Sequence, residues 1–258
     1  MAEAKVVLVT AGASGIGRVC AESFLAGGYR VHVSDLSEAA IDELRRDVPA
    51  ITGTAADSAS ADQVDRVFRD LVDHYGALDV LVNNVGIAGP TAPVEEIRPE
   101  DWARVIDVDL SSHFYATRRG VPLLKVRGGG SILNIASSAA FFGLPLRSPY
   151  AAAKWAMIGL TKTWAMELGE HRIRVNALCP GSVRGPRIDA VIEKDARARG
   201  MAPERIRDVY LRQTSLRVFV DAEDVAQMAL FLASDAGRHV SGQAIGIDGH
   251  TEGLANWL

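Results

Sequence analysis

Residues 5–20 read KVVLVTAGASGIGRVC, in which an apolar run passes into a glycine-rich segment and then into a helical pattern. The β-branched run predicts a buried strand, and the glycines at 12, 15 and 17 predict a tight turn into a helix. Such a turn brings the backbone close to a pyrophosphate, and the helix behind it directs its N-terminal N–H groups to the same place. The segment therefore indicates a dinucleotide site, although a glycine cluster alone also fits an ordinary strand-to-helix turn.

The same alternation of strand and helix continues along the chain. Amphipathic segments separate seven predicted strands, at residues 5–10, 29–35, 50–55, 77–84, 130–137, 173–180 and 242–249. Apolar strands that alternate with helices predict a parallel sheet covered on both faces, and right-handed crossovers make that sheet doubly wound. We therefore expect one Rossmann-type α/β domain over residues 1–258, with a charged insertion at about 184–217 that departs from this rhythm.

The bulk composition is that of an ordinary globular protein, with 48% hydrophobic and 23% charged residues. The net charge of −4 argues against a nucleic-acid partner. No apolar run reaches the ~18–20 residues of a membrane span, and the N-terminus lacks a signal-peptide pattern, so we expect a cytoplasmic protein. Cys20 and Cys179 have no metal-ligand spacing and are predicted to be buried thiols, the alternative being a reactive or bridged cysteine.

Asp35 ends the second predicted strand, beyond the glycine-rich turn. A carboxylate at this place accepts hydrogen bonds from ribose hydroxyls and repels a 2′-phosphate. No basic residue lies within residues 10–17, so the combination favours NAD over NADP. Arg18, just beyond the turn, is either a ligand for an extra phosphate or a solvated residue of the first helical turn.

Tyr150 and Lys154 are four residues apart in an otherwise apolar helical segment, SPYAAAKWAMIGL at 148–160, and so share one face. A free phenol ionises near pH ~10, but a cation ~4 Å away at an effective dielectric of ~20 contributes ~4 kcal/mol. That interaction moves ionisation of the phenol towards neutral pH, where a general acid–base catalyst is most useful. Ser137 ends the fifth predicted strand, at the sheet edge where ligands bind, and would hold a substrate oxygen. The alternatives are an amphipathic pair at a helix edge and a turn serine.

Five segments resemble, in order, the motifs of the short-chain dehydrogenase/reductase family in its short single-domain form. TAGASGIG at 10–17 is similar to TGxxxGxG, NNVG at 83–86 to NNAG, and NIAS at 134–137 to the family's serine strand. YAAAK at 150–154 is similar to YxxxK, and RVNALCPG at 174–181 to RVNxxxPG. The resemblance covers essentially the whole chain, and the combination of five motifs is far more specific than any one of them.

This resemblance implies an NAD-dependent oxidoreductase that interconverts a small-molecule secondary alcohol and a ketone by hydride transfer, in a homotetramer. Tyr150 would be the general acid and base, Lys154 would favour its ionisation and hold the nicotinamide ribose, and Ser137 would orient the substrate. No metal is expected. The resemblance further implies cofactor contacts from Gly12, Ser14, Gly15, Ile16, Gly17, Asp35, Leu36, Asp57, Ser58, Asn84, Gly86, Tyr150, Lys154 and Val183.

Within this set, the resemblance assigns different parts of the cofactor to different residues. Asp57 and Ser58 would lie at the adenine, and Leu36 near the adenine ribose. Asn84 and Gly86 would line the central portion. Val183 would contact the nicotinamide carboxamide through its backbone.

Three positions depart from the family pattern. Ala11 stands where the first glycine is expected, and we expect its methyl group to be tolerated because Gly12 adjoins it. Asp109 stands where the catalytic asparagine would fall; an ionised carboxylate cannot donate a hydrogen bond. If the amide matters, the proton relay changes; if the backbone carbonyl matters, little does. Gly185 replaces a frequent threonine and removes one hydroxyl near the carboxamide.

The substrate is not identified by the sequence. One arginine of the insertion could bind a substrate carboxylate bidentately, the alternative for each being a solvated helix face with local ion pairs. The candidates are Arg184, Arg187, Arg197, Arg199, Arg205, Arg207 and Arg212. Phe141, Phe142 and Leu144 would form an apolar wall of the site or part of the core, and Trp257 would pack against a neighbouring subunit.

Two other functions compete with the dehydrogenase. The first is a non-catalytic NAD-binding sensor or scaffold of the same fold, which Asp109 favours and the intact Ser137, Tyr150 and Lys154 disfavour. The second is a lyase or epimerase that uses NAD as a bound cofactor. The short chain argues against it, because it leaves no room for a separate substrate domain.

Overall fold

A computed structural model describes residues 4–251, so that Trp257 lies outside the described residues. Within them, seven strands form one sheet in the order β3-β2-β1-β4-β5-β6-β7. Every neighbouring pair of strands is parallel, which confirms the predicted Rossmann-type doubly wound architecture. The strands are β1 Val6–Thr10, β2 Arg30–Asp35, β3 Ile51–Ala55, β4 Val80–Asn83, β5 Gly130–Ile135, β6 Ile173–Pro180 and β7 Ala244–Ile247.

Helices connect the strands as expected. They are α1 Gly15–Ala26, α2 Glu38–Asp47, α3 Ala61–Tyr75, α4 Pro99–Ile106, α5 Ser112–Val126, α6 Ser148–Leu168, α7 Pro186–Arg199, α8 Pro203–Arg212 and α9 Ala222–Ala233. A π-helical segment, Asp107–Ser111, joins α4 directly to α5. The strand order reverses between β1 and β4, and this switch point is where open α/β sheets bind ligands.

The two faces of the sheet explain why its strands read as apolar runs. In β1, Val7 and Val9 pack into the core under α1, α2 and α9, whereas Val6 and Leu8 pack into the core under α3, α5 and α6. Alternate side chains of a strand point to opposite faces, so both sets must be apolar when helices cover both faces. The sheet is thereby fixed from both sides, and its carboxyl edge is left to carry the polar residues.

The insertion contains α7 and α8, which follow the carboxyl end of β6. These helices bury a small apolar cluster of their own, which comprises Ile188, Ile192, Ala196, Ile206 and Phe219. The segment is therefore a packed unit above the carboxyl edge of the sheet, which explains why its charge pattern departs from that of the strands and helices before it.

Cys20 and Cys179 are both buried and unpaired, as the sequence predicted. Burial raises the pKa of each thiol to about 12, so both remain protonated at neutral pH. Of the helices in residues 4–251, none combines the length and the apolar character that crossing a membrane requires.

Candidate active site

The glycine-rich turn is held against the second strand. Gly12 donates its N–H to the carbonyl of Ser34 at 3.0 Å, and α1 begins at Gly15, directly after Ser14. Ile16 turns back towards the core, where it packs against the cluster under α1. The N-terminus of α1 thus faces the carboxyl edge of the sheet, as an anion-binding turn requires.

Position 17 requires a glycine because the backbone of Ala11 passes very close to it. A Cβ atom at Gly17 would lie 2.0 Å from the carbonyl oxygen of Ala11. That same oxygen accepts a hydrogen bond from Nδ2 of Asn84 at 3.0 Å, and the carbonyl of Thr10 accepts a second one at 3.2 Å. Asn84, predicted to line the cofactor, therefore also holds the turn in place from the end of β4.

Ala11 adopts a left-handed backbone conformation, with φ of +48°. A Cβ atom in this region costs roughly 1–2 kcal/mol, which a glycine would avoid. The methyl group is accommodated in this fold, and it carries a conformational cost that the sequence did not reveal.

The adenosine end of the expected cofactor site presents a fixed carboxylate. Asp35 accepts hydrogen bonds from the N–H groups of Ala13 and Ser37, each at 3.1 Å, and Leu36 beside it is 68% exposed. The guanidinium of Arg18 is paired with Glu22 and Asp47, at 2.8 and 2.7 Å. Nothing in these contacts provides a cation for a 2′-phosphate.

Asp57 is also oriented by its neighbours. Its Oδ1 accepts the N–H of Ala59 at 2.9 Å, and its Oδ2 lies 3.6 Å from Arg104 of α4. Ser58 is buried next to it. The contact with Arg104 was not predicted, since no local sequence signal links a helix residue to a loop 47 positions earlier.

Lys154 is almost wholly buried, at 3% exposure, in the centre of the site. Its Nζ donates to the carbonyl of Ile135 at 3.3 Å and lies 3.6 Å from Oδ2 of Asp109, which is fully buried. The other oxygen of Asp109 accepts the N–H of Ile87 at 2.7 Å, and Gly86 lies directly beside both charged groups. The departure at position 109 therefore supplies a buried counter-ion to Lys154.

The ring of Tyr150 lies close to two cations. Nζ of Lys154 is 5.7 Å from the ring centroid and Cζ of Arg147 is 5.0 Å from it. Sequence reasoning found the first of these cations and missed the second. The signal was present in RSPY at 147–150, where an arginine precedes the tyrosine by three residues.

Ser137 takes the turn role considered for it, and its substrate role stays a prediction. It follows β5 at the carboxyl edge, and its Oγ accepts the N–H of Ala139 at 3.2 Å, which caps a short 3-10 turn. The turn serine is therefore observed. Because Oγ is the acceptor in this bond, its own proton stays available for a substrate oxygen.

His113, on α5, is a buried neighbour of this centre that the sequence did not single out. Burial, and to a smaller extent the charge of Lys154, lowers the pKa of His113 to about 3. The ring is therefore neutral at working pH and donates Nε2–H to the carbonyl of Val85 at 2.9 Å. It adds no charge that would compete with Lys154.

Val183, predicted to contact the nicotinamide carboxamide, forms an isolated parallel bridge with Val220. The bridge uses the N–H of Arg184 and the carbonyl of Ser182, at 2.8 and 2.9 Å from Val220. In a parallel ladder this pattern turns the N–H and C=O of Val183 itself to the opposite side. The bridge therefore leaves the N–H and C=O of Val183 unused, and the contact with the carboxamide stays a prediction.

Gly185 has a positive φ of +132° at the start of α7. A β-branched threonine would be strained in this conformation. The departure from the family's frequent threonine therefore matches the local backbone. Phe141, in the segment that follows β5, packs with the buried Met157 and Cys179, so it contributes to the core.

The arginines of the insertion are mostly held by local acids. Ion pairs join Arg184 to Asp221, Arg197 to Glu193, Arg199 to Asp195, Arg207 to Asp189, and Arg212 to Asp208. Arg187 differs, because its Nη1 donates to the carbonyl of Gly86 at 3.1 Å, beside Lys154 and Asp109. Among the contacts of residues 4–251, Arg187 is the one arginine of this group whose side chain contacts a residue of the site.

The chain is similar to known oxidoreductases over nearly its whole length. A family model described as enoyl-(acyl carrier protein) reductase matches residues 10–250. A 3-oxoacyl-[acyl-carrier-protein] reductase of Thermotoga maritima is 38% identical, covering 96% of this chain and 97% of its own length. A D-β-hydroxybutyrate dehydrogenase of Rhizobium meliloti is 34% identical, covering 95% and 97%.

Two solved structures show the same similarity in three dimensions. NAD⁺-bound xylitol dehydrogenase has a TM-score of 0.92 and 26% identity, covering 95% of this chain and 98% of that one. A single-residue variant of actinorhodin polyketide ketoreductase with NADPH has a TM-score of 0.92 and 30% identity, covering 96% and 98%. All four proteins are named as dehydrogenases or reductases, and the comparisons give no support to a non-catalytic binding protein.

Proposed function

This chain belongs to the short-chain dehydrogenase/reductase family, and from that premise we propose that it is an NAD-dependent dehydrogenase of secondary alcohols, reversible as a ketone reductase. The observation that carries the proposal is the placement of Tyr150 and Lys154 at the carboxyl edge of β5. Lys154 is anchored there on the carbonyl of Ile135 at 3.3 Å, two residues before Ser137. One acid–base group, one cation and one hydroxyl donor are what the reaction needs from the protein.

The residues at the edge of the sheet fit a nicotinamide dinucleotide, which when bound supplies the hydride acceptor for alcohol oxidation. The turn at Gly12, Ser14, Gly15, Ile16 and Gly17 fits a pyrophosphate, because it ends on the N-terminus of α1. Asp35 and Leu36 would hold the adenine ribose, and Asp57 and Ser58 the adenine. Asn84 and Gly86 would line the centre of the site, and the free backbone groups of Val183 would bind the carboxamide.

The chemistry of the protein groups follows from their charges and bonds. Ser137 donates a hydrogen bond to the substrate oxygen, which its capping bond leaves free to do. Tyr150 accepts the hydroxyl proton as the alcohol is oxidised and returns it when a ketone is reduced. Lys154 places its positive charge near the ring of Tyr150 and would hold the nicotinamide ribose.

The preference for NAD over NADP rests on two contacts. Asp35 is a carboxylate fixed by two backbone N–H groups, so a 2′-phosphate would meet a negative charge that cannot easily turn away. Arg18, the nearest cation after the turn, already has two acidic partners.

The test is a screen of secondary alcohols, sugars, steroids and hydroxy acids with NAD⁺ or NADP⁺, followed by the absorbance of the reduced cofactor. We expect turnover with NAD⁺ that is lost in Tyr150→Phe and retained in Tyr115→Phe, a matched change on α5. Tyr150→Phe should still bind NADH, which a fluorescence titration measures. Turnover that survives Tyr150→Phe would exclude the proposed acid–base role.

A second candidate is the reduction of a 3-oxoacyl group on an acyl carrier protein. The family description and the 38% identical relative favour it. Acetoacetyl thioesters with NADPH or NADH test this candidate directly. A kcat/KM for the thioester with NADPH far above that for any free alcohol with NAD⁺ would select it over the first.

We also propose a homotetramer located in the cytoplasm. The tetramer is supported by the family resemblance and by large apolar side chains that are exposed in the single chain, Phe114 on α5 and Trp155 and Met166 on α6. The cytoplasm is supported by the two unpaired cysteines. Light scattering after size exclusion gives the mass of the assembly, and a monomer at micromolar concentration would exclude the tetramer.

A further inference from the structure

Arg147 occupies an unusual place for a charged side chain. It is the residue directly before α6, three positions ahead of Tyr150, and it is only 7% exposed. Its Cζ lies 5.0 Å from the centre of the Tyr150 ring, closer than the ammonium of Lys154. A guanidinium is therefore buried against the proposed acid–base group.

The hydrogen-bonding capacity of this guanidinium is mostly unused. Nη2 donates to the carbonyl of Ala88 at 2.6 Å, while Nε is buried and has no partner. Over residues 4–251, no carboxylate lies within ion-pair distance of Arg147, in contrast to most arginines of the insertion. The guanidinium thus has several N–H donors but one hydrogen-bonded protein acceptor among the described residues.

The position is also electrostatically unfavourable for a cation without a counter-ion. A buried charge that has no partner is costly, and the N-terminus of the 21-residue helix α6 adds the positive end of its dipole. The face of the Tyr150 ring offsets only part of this cost. An anion placed here would be attracted by both the guanidinium and the helix end.

The neighbours of Arg147 do not supply that anion. Tyr210 interacts electrostatically with Arg147, but burial, as the largest cause, raises the pKa of the Tyr210 phenol to about 12, so this hydroxyl is uncharged. Asp195, whose Oδ2 is 3.5 Å from the Tyr210 hydroxyl, is already paired with Arg199 at 2.6 Å. Asp109 is directed at Lys154 and Ile87.

A second arginine supports the same end of the site. Arg187, from α7, donates to the carbonyl of Gly86 at 3.1 Å, and Arg147 donates to that of Ala88, two residues further on. The loop after β4 thus accepts a hydrogen bond from each of two guanidinium groups, one at Gly86 and one at Ala88.

We propose that Arg147 binds a carboxylate of the substrate, so that the substrate is a small hydroxy acid and the product the corresponding oxo acid. This inference rests on the proposed dehydrogenase function and specifies its substrate class. The buried Nε and an adjacent Nη–H of a guanidinium form the fork that carboxylates bind bidentately. The bound carboxylate supplies the counter-ion that the fold lacks at this position.

The experiment compares each hydroxy acid with its uncharged methyl ester under NAD⁺. For the wild type we expect kcat/KM for the acid to exceed that for the ester by about 100-fold, a typical effect of a charge-assisted bidentate pair. In Arg147→Met this ratio should fall close to one, and in Arg147→Lys it should be intermediate, because lysine keeps the charge without the fork. Arg197→Met, an exposed arginine of α7, is the matched control and should keep the wild-type ratio.

The ratio separates recognition from a merely structural role. If Arg147 only holds the loop at Ala88, Arg147→Met will lower acid and ester turnover equally, and the proposal is overturned. Wild-type kcat/KM values for neutral alcohols and esters that equal those for the acids would also overturn it. That outcome would leave the proposed dehydrogenase function intact. No turnover of any secondary alcohol would instead remove the proposed function, and this inference with it.

A measurement on the wild type alone covers the case in which Arg147→Met does not fold. Isobutyrate should inhibit the oxidation of a neutral secondary alcohol competitively, whereas isobutyramide should not. Equal inhibition by both compounds, or by neither, would contradict a carboxylate site at Arg147.

Discussion

The carboxylate of Asp109 lies 3.6 Å from the ammonium of Lys154, and both side chains are buried. This oxygen of Asp109 has no hydrogen-bond partner among the described residues, so its main interaction is with that charge. Lys154 therefore lies close to both an anion and the ring of Tyr150. The anion offsets part of the electrostatic field that Lys154 creates at the ring, since a charge several ångströms away still contributes on the order of 1–2 kcal/mol.

We predict that Asp109→Asn lowers the stability of the fold while activity survives. Asparagine still accepts the N–H of Ile87, but Lys154 loses its buried counter-ion, so the free energy of unfolding should fall by about 3 kcal/mol, measured by urea titration. Asp107→Asn, at an exposed position of the same π-helical segment, is the control and should leave the free energy of unfolding unchanged. Equal stability of Asp109→Asn and the wild type, or a folded but inactive enzyme, would show that the acid acts in another way.

The turn at Ala11 gives a prediction about stability. Its left-handed conformation costs an alanine roughly 1–2 kcal/mol, and the greater freedom of glycine in the unfolded chain takes back about 0.5–1 kcal/mol. Ala11→Gly should therefore raise the free energy of unfolding by about 0.5–1 kcal/mol, measured by urea titration. Ala40→Gly within α2 should lower it by about 1 kcal/mol. A loss of stability in Ala11→Gly would mean that the methyl group makes favourable contacts worth more than the strain.

The buried His32 predicts how stability depends on pH. Burial, and to a smaller extent His74, lowers the pKa of His32 from 6.5 to about 4, and its two nitrogens lie 2.7 and 3.0 Å from the hydroxyls of Thr52 and Thr54. Between these values the unfolded chain binds a proton that the folded chain does not. The stability contributed by the neutral ring is therefore fully present above pH ~6.5 and is lost as the pH falls towards ~4.

His32→Gln isolates this contribution, because glutamine keeps polar atoms near both threonines and does not titrate. The loss of unfolding free energy between pH 7 and pH 4.5 should be smaller in His32→Gln than in the wild type by about 2–3 kcal/mol. His171→Gln, at a partly exposed position after α6, is the control and should keep the wild-type slope. Parallel pH curves for the wild type and His32→Gln would show that His32 titrates normally in the fold.

Local patterns predicted the parts of this site that depend on near neighbours in the sequence. The glycine spacing placed the turn, the alternation of apolar runs placed the strands, and the spacing of Tyr150 and Lys154 placed both on α6. The contacts of Asp109 with Lys154, 45 residues apart, and of Arg104 with Asp57 arise from tertiary packing, which no local pattern contains. Asp109 lies in the π-helical segment, which the sequence did not predict, and from there its carboxylate is oriented towards Lys154.

The fixed carboxylate of Asp35 predicts the cofactor preference. Asp35→Ala should weaken NAD⁺ binding, because the ribose loses its acceptor, and should raise the ratio of kcat/KM for NADP⁺ to that for NAD⁺ by about 10-fold or more, because a 2′-phosphate no longer meets a negative charge. Adding Asp47→Asn should raise the ratio further, since it removes one of the two acids that hold Arg18. Asp42→Asn, on the exposed side of α2, is the matched control and should change neither constant. If the NADP⁺ to NAD⁺ ratio stays the same in Asp35→Ala, the carboxylate does not select the cofactor, and NAD preference would have to come from the shape of the site around Leu36.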